Sequence, residues 1–408
     1  MSLYVHIIGE STQQLWGLTS RERLLRMLKG LAIDQAIDDF SLLPSDSTVL
    51  LIHSDYIYDV RVLNSLLEDK NVAFQLSVGG NSLLIAAHVQ ASLAQPSLTA
   101  LQEGTLDESL PLTIVGLQTL TNTFQKKLRK VEPPYVFPIT RDNHEALEEH
   151  LYSGSYKGIT DLITKWAWPI PAKWATRICA HSGIQPNHVT FLGLILTIIA
   201  GVCFSKQHYL IGLLAGWGMT FLDTVDGKLA RVTVTSTKFG DIFDHGIDLI
   251  HPPLWYLAWG IGLTTFETST SWPWSLNVTI WAIFIGYVVG RLIEGAFQQW
   301  VGRFGIYCWK PVDSYFRLIT ARRNPNLILL SGSYIIGRPD WGLIGVAFWT
   351  VASTLILFIR FVMALGIKKM YGEVSPWLAS IGTSIDRESF TARLFTRPPF
   401  TKVMQSKD

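Results

Sequence analysis

Four aspartates stand at helical spacings inside the most apolar part of this 408-residue chain, and they restrict what it can fold into. Asp223 and Asp226 lie three apart, and Asp244 and Asp248 four apart, so each pair shares one helix face. Burying four like charges is costly unless something neutralises them. Hard divalent cations with oxygen ligands are the simplest neutraliser. Between the pairs, Gly227, Ala230, Arg231 and Gly240 complete the pattern D-x2-D-G-x2-A-R-x8-G-x3-D-x3-D. The fold therefore has to supply a pocket that holds metal at a membrane.

Composition agrees. Hydrophobic residues make up 48% of the chain and charged residues 16%, against about 25% charged in ordinary soluble domains. The balance is uneven: the first 150 residues have soluble character and the rest do not. A net charge of +2 leaves no basic footprint for a nucleic acid partner. Cys179, Cys203 and Cys308 are far apart, match no zinc or disulfide spacing, and read as packing residues. Met1–Gly9 is a short apolar, strand-like run and not a cleavable signal, so membrane insertion would rest on internal helices.

The expected architecture is a soluble α/β domain over 1–150, followed by a six-helix, all-α transmembrane domain. Leu3–Ile8 and Thr48–His53 read as buried strands. Ser20–Leu31 reads as an amphipathic helix capped by Thr19 or Ser20, with Leu24, Leu25, Leu28 and Leu31 as its apolar stripe. Val72–Val78 and Leu83–Val89 flank Gly79-Gly80-Asn81, a hairpin signal. Val131–Asp142 reads as a Pro-rich extended linker and Asn143–Tyr152 as a short polar helix. Residues 157–183 are basic and aromatic. Trp174 and Ile178 share one face, Lys173 and Arg177 another, which fits a helix lying in the headgroup layer.

The segment 184–370 should hold six spans: Val189–Phe204, Tyr209–Leu222 with a polar extension to Val232, Phe239–Phe266, Val278–Gln298, Leu327–Ile336 and Trp341–Ile367. The second and fifth are short against the roughly 20 residues a bilayer needs, which is tolerated where a polar continuation lines an enclosed wet cavity. Residues 371–408 read as a cytosolic tail. Basic residues before the first span, and in the turns that hold Lys228, Arg231, Arg303, Arg317 and Arg322, place both termini and the aspartates in the cytosol. Trp272 and Trp274 would mark the outer interface, and Trp300 and Trp309 the inner one.

Four carboxylates in one pocket can hold two divalent ions about 4 Å apart. Mg²⁺ or Mn²⁺ suits them better than zinc, because neither His nor Cys sits at ligand spacing. Gly227 and Ala230 leave room for a flat ligand, and Arg231 offers a fork for phosphate. His245 points about 100° away from Asp244 on a helix, so with His251 it reads as a neighbouring contact and not a ligand.

These eight residues fill every position of the signature of the CDP-alcohol phosphatidyltransferase family, which the chain resembles over about Lys157–Ile367, including a Pro-Asn-x-Val-Thr run at Pro186, Asn187, Val189 and Thr190. The resemblance implies a membrane transferase of phospholipid synthesis. It would displace CMP from a CDP-linked lipid, CDP-diacylglycerol above all, with an alcohol or phosphorylated alcohol as acceptor. It implies that Asp223, Asp226 and Asp244 ligate two Mg²⁺ or Mn²⁺ ions with Asp248 sharing in this. Asp248 would also act as general base. Gly227, Ala230 and Arg231 would line the nucleotide pocket, and Asn187 and Thr190 would reach the donor phosphates. It also implies a homodimer. Charges within the spans usually face a cavity or a partner. Arg291, Arg322, Arg323 and Arg360 are therefore candidates for holding an acceptor phosphate, the alternative being that Arg291 pairs with Glu294 and Arg360 snorkels.

The N-terminal region weakly resembles half of a sugar nucleotidyltransferase, through the strand leading into Gly9-Glu10-Ser11, then Ser20-Arg21-Glu22-Arg23-Leu24, then the strand leading to Asp55. It lacks a Gly-rich phosphate loop, which implies a degenerate or regulatory domain, with a bifunctional cytidylyltransferase as the alternative. Asp55 and Asp59 read as a polar strand end. Two other functions remain open. A membrane prenyltransferase would release pyrophosphate and not CMP. An ion transporter would need acidic residues in the outer halves of the second and third spans, where there are none.

Overall fold

The computed structural model describes residues 2–396 apart from 10, 79–80, 105–109, 120–123, 126–127, 265–274 and 382–388. Trp272, Trp274, Glu10 and the Gly79-Gly80 turn thus lie outside the described residues.

The N-terminal region is built on a mixed five-stranded sheet. Leu3–Ile8 and Thr48–His53 are strands, as their apolar runs lead one to expect, and they pair in parallel. Thr48–His53 pairs antiparallel with Asn81–Gln90, and that strand pairs antiparallel with Val72–Val78. Thr113–Val115 adds a short parallel edge. Beyond the other edge, Ala36 bridges Val5 in parallel. Helices α1 (Ser20–Gly30), α2 (Val60–Glu68) and α3 (Ala94–Glu103) cover the faces. One apolar core gathers Val5, Leu24, Leu50 and Leu63, the other Val49, Leu84, Val89 and Leu101. Thr19 caps α1 reciprocally with Glu22. Leu24 and Leu28 face inward as expected, but Leu25 is exposed, because the sheet accepts only a narrow stripe.

The linker at 131–142 is extended and partly strand-paired: Val136–Pro138 runs antiparallel to Tyr56–Tyr58. It leads to α4 (His144–Gly154) and then to α5 (Pro169–His181). The face of α5 that carries Ile170, Trp174 and Ile178 is exposed, as an interfacial helix requires.

The remainder is helical: α6 (Pro186–Ser205), α7 (Tyr209–Val232), α8 (Lys238–Leu263), α9 (Leu276–Trp300), α10 (Pro311–Ile319), α11 (Arg323–Ile335), α12 (Pro339–Tyr371), α13 (Trp377–Ser380) and α14 (Phe390–Thr396). By length and composition, three of these can cross a membrane: α6, α9 and α12. Helices α7 and α8 are long enough but carry the charged signature, and α11, with 13 residues, reaches only about 20 Å. The count of six membrane-crossing helices is therefore not established by the fold. Trp259 and Trp255 anchor α8 through their indole N–H groups, to Pro339 O and Thr197 O, each at 2.9 Å.

Beyond 371, the described residues Leu378 and Phe395 are fully buried in a core with Ile159, Phe297 and Tyr307. One expectation fails here. Trp309 is no interfacial anchor, for it is buried beneath the Arg360 guanidinium, 4.3 Å from its ring.

Candidate active site

Helix α7 continues past its apolar part because its last turns pack on protein. Val225 and Leu229 are buried against Ala172 of α5 and Val189 of α6. This packing turns Asp223 and Asp226 towards the first turns of α8, which opens with a Thr237 cap on the Gly240 N–H at 3.0 Å. The helices do not meet along a direct seam. Instead α6 packs against both and holds them apart, so that the carboxylates converge across a gap. Carboxylate oxygens of Asp223, Asp226 and Asp244 come within 4.8 Å of one another.

Like charges this close need compensation. Part of it comes from Arg323 at the start of α11. Its Nη2 reaches Asp223 Oδ2 at 2.5 Å, and its Nη1 pairs with Asp248 Oδ1. Lys157 and Arg231 also lie within electrostatic reach of the cluster. Asp226 Oδ2 accepts from the Thr190 hydroxyl at 2.6 Å, while its Oδ1 is buried with no partner among the described residues. The oxygen-rich donor set and this orphaned oxygen fit a hard divalent cation at Asp223, Asp226 and Asp244. Asp248 stands apart from that trio, engaged by Arg323.

The small residues of the signature have steric roles. A Cβ on Gly240 would meet Asn187 Oδ1 at 2.8 Å, and one on Gly227 would meet Arg231 Nη2 at 3.1 Å. Gly227 thus lets the Arg231 guanidinium fold over the helix, with Nε buried and without a hydrogen-bond partner among the described residues. Asn187 braces α8, and Thr190 orients Asp226.

The other candidate arginines scatter. Arg291 and Arg322 line a small hollow with Tyr287, Glu294, Thr320 and Ser353. Both pair with Glu294, Arg291 at 3.5 Å and Arg322 more closely. Arg323 belongs to the aspartate cluster. Arg360 pairs with Asp313, with bonds of 2.6 and 2.9 Å, away from the aspartate cluster. His251 bonds its own helix at Ile247 O, 2.6 Å away, and His245 is exposed.

Four contributors escaped sequence reasoning. Lys157 is exposed near the cluster, within electrostatic reach of Asp223, Asp244 and Arg231. Tyr287 donates to Leu249 O at 2.8 Å. Arg23 of α1 donates to Leu15 O at 3.3 Å and Val232 O at 2.5 Å, and Arg26 to Thr233 O at 2.8 Å, so the N-terminal domain caps the end of α7. Only the pair of prolines after Asp248 hinted at the second of these, by leaving backbone carbonyls to satisfy.

Residues 184–303 match the CDP-alcohol phosphatidyltransferase family. Among curated proteins, the chain is 29% identical over 126 residues to Cholinephosphotransferase 1 of Xenopus laevis, covering 28% of this chain and 30% of that protein. It is 37% identical over 79 residues to Archaetidylinositol phosphate synthase of Pyrococcus horikoshii, covering 19% and 42%. It is 28% identical over 118 residues to Phosphatidylinositol phosphate synthase of Mycobacteroides abscessus, covering 27% and 51%. The matches thus span between 30% and 51% of these relatives' lengths.

Proposed function

From the premise that this chain carries a CDP-alcohol phosphatidyltransferase domain, we propose that it is an integral membrane enzyme of phospholipid synthesis. It transfers a substituted phosphate from a CDP-alcohol, CDP-diacylglycerol foremost, to an alcohol and releases CMP. The observation that carries this reading is the convergence of three carboxylates within 4.8 Å around a buried, unpartnered Asp226 oxygen. Asp223, Asp226 and Asp244 would hold Mg²⁺ or Mn²⁺, which when bound stabilises negative charge on the pyrophosphate and the departing CMP.

The protein's own groups do the rest. Arg231, folded over Gly227, directs its guanidinium to a phosphate of the donor. Asp248 keeps one oxygen on Arg323 and presents the other to the acceptor hydroxyl. As that hydroxyl oxygen bonds to phosphorus and the bond to CMP breaks, the proton passes to this carboxylate. The hollow bearing Arg291 and Arg322 lies on the α9 side, where Tyr287 links it to the backbone at Asp248 and Leu249. It is the approach for a polar or phosphorylated acceptor.

In this reading α7, α8 and α11 complete a six-helix membrane domain with α6, α9 and α12. The basic turns place the site and both termini in the cytosol, and the protein works as a homodimer. The N-terminal sheet is a degenerate nucleotidyltransferase-like domain, which CTP turnover by the full chain would contradict. The test supplies purified protein with Mg²⁺ or Mn²⁺, CDP-diacylglycerol and a panel of acceptors. CMP release supports the reading, whereas pyrophosphate from an isoprenoid diphosphate supports prenyl transfer instead. Arg291→Ala should raise acceptor KM and leave donor KM unchanged; equal changes in both would remove Arg291 from the acceptor site.

A further inference from the structure

Pro252 and Pro253 sit inside α8, one turn beyond Asp248. A proline has no N–H, so the carbonyls four residues earlier lose their helical donors. Those carbonyls belong to Asp248 and Leu249. The Tyr287 hydroxyl on α9 fills the place: it donates to Leu249 O at 2.8 Å, with Asp248 O at 3.5 Å. The bond supplies the donor that the proline removes, and so holds the break in one geometry. The same ring looks the other way into the hollow. The Arg291 guanidinium lies over it, 5.0 Å from its centroid, and Tyr287, Arg291 and Glu294 line that space together.

We propose that Tyr287 is a positioning residue that couples occupancy of the α9–α12 hollow to the placement of the Asp248 carboxylate, with the proline break as its joint. The inference rests on the reading of Asp248 as the group that takes the acceptor proton. An acceptor that draws on Arg291 shifts the cation stacked on the ring. The ring's hydroxyl holds the backbone from which Asp248 projects. Binding of the acceptor and readiness of the base are thus joined through one side chain.

The test uses the full chain in detergent with Tyr287→Phe, Pro253→Ala and the double variant. CMP release gives kcat and acceptor KM, and calorimetry with CDP and Mg²⁺ gives donor-site affinity without turnover. Tyr287→Phe should lower kcat about tenfold, the scale expected when a reacting group is slightly misplaced, with CDP affinity unchanged. Pro253→Ala restores an N–H for Leu249 O, so in that background the Phe substitution should change kcat less than about twofold. A Tyr287→Phe enzyme with wild-type kcat overturns the coupling. So does a double variant as slow as Tyr287→Phe alone, or a loss of CDP affinity in parallel with kcat, which would mark a structural role. If instead the wild-type protein binds CDP but releases no CMP with any acceptor, the transferase reading itself fails.

Discussion

Asp59 in the N-terminal domain and Asp226 in α7 are equally withdrawn from water, 5% and 4% exposed, yet their oxygens have different fates. Asp59 caps α2. Its Oδ1 accepts from the Arg61 backbone N–H at 2.9 Å, and its Oδ2 pairs with Arg61 Nη2 at 2.6 Å. Every charge there is answered by its own neighbourhood. Asp226 has Thr190 on one oxygen, no hydrogen-bond partner among the described residues on the other, and two further carboxylates close by. Acidic spacing alone does not make a site. Negative charge that the fold gathers and leaves unanswered does.

The sharpest way to break this contrast is to neutralise both acids. Asp226→Asn should lower CMP release by at least about a hundredfold, the range for lost electrostatic catalysis. Asp59→Ala should leave turnover intact and lower stability by about 1 kcal/mol through loss of the helix cap, read as a lower melting temperature. A fully active Asp226→Asn enzyme would end the comparison.

A smaller effect sharpens it. Gly240→Ala brings a methyl group to 2.8 Å from Asn187 Oδ1, whereas at Gly246, two turns on in the same helix, an added Cβ meets nothing within 4 Å. The first should raise donor KM several-fold. The second should keep KM unchanged and stabilise the helix by about 0.5–1 kcal/mol. Donor-titration kinetics and thermal unfolding of both variants check this.

The smallest expected effect concerns a buried cation that is answered by rings in place of acids. Lys165 donates to the Tyr156 hydroxyl at 2.6 Å and lies 5.1 and 5.2 Å from the Tyr156 and Phe395 ring centres. Burial pushes its ammonium down to about 8, below the usual value near 10.4. Between those values the unfolded chain holds a proton that the folded chain has released, so stability rises with pH across that window, and the penalty is fully present below it. The melting temperature of wild type relative to Lys165→Met should therefore climb by a few degrees from pH 7.5 to 10. A flat difference would remove Lys165 as the cause.

Local periodicity carried much of this molecule into view. The strands Leu3–Ile8 and Thr48–His53 and the Thr19–Glu22 cap follow from patterns within a few residues. The aspartate pairs and their glycines follow from spacing on a helix. What spacing does not encode is the partner across a gap. Arg323 reads as a free cation beside Arg322, but it closes on Asp223 and Asp248, 100 and 75 residues away. Arg360 reads as either a phosphate holder or a snorkelling charge, and its ion pair with Asp313, 47 residues away, is in neither pattern. Beyond 371, nothing in local spacing announces that Leu378 and Phe395 pack into a core with Ile159 and Phe297.

The cap that Arg23 and Arg26 place on α7 has a consequence for anyone who trims this protein. Trp16 lies stacked against Tyr152, whose ring in turn carries the Lys228 ammonium 4.3 Å from its centre. Excising the first 150 residues would bare that stack and unravel the final coil of α7 just beyond Arg231. A minimal version cut at the linker would then keep every residue of the motif and still hold its substrate loosely.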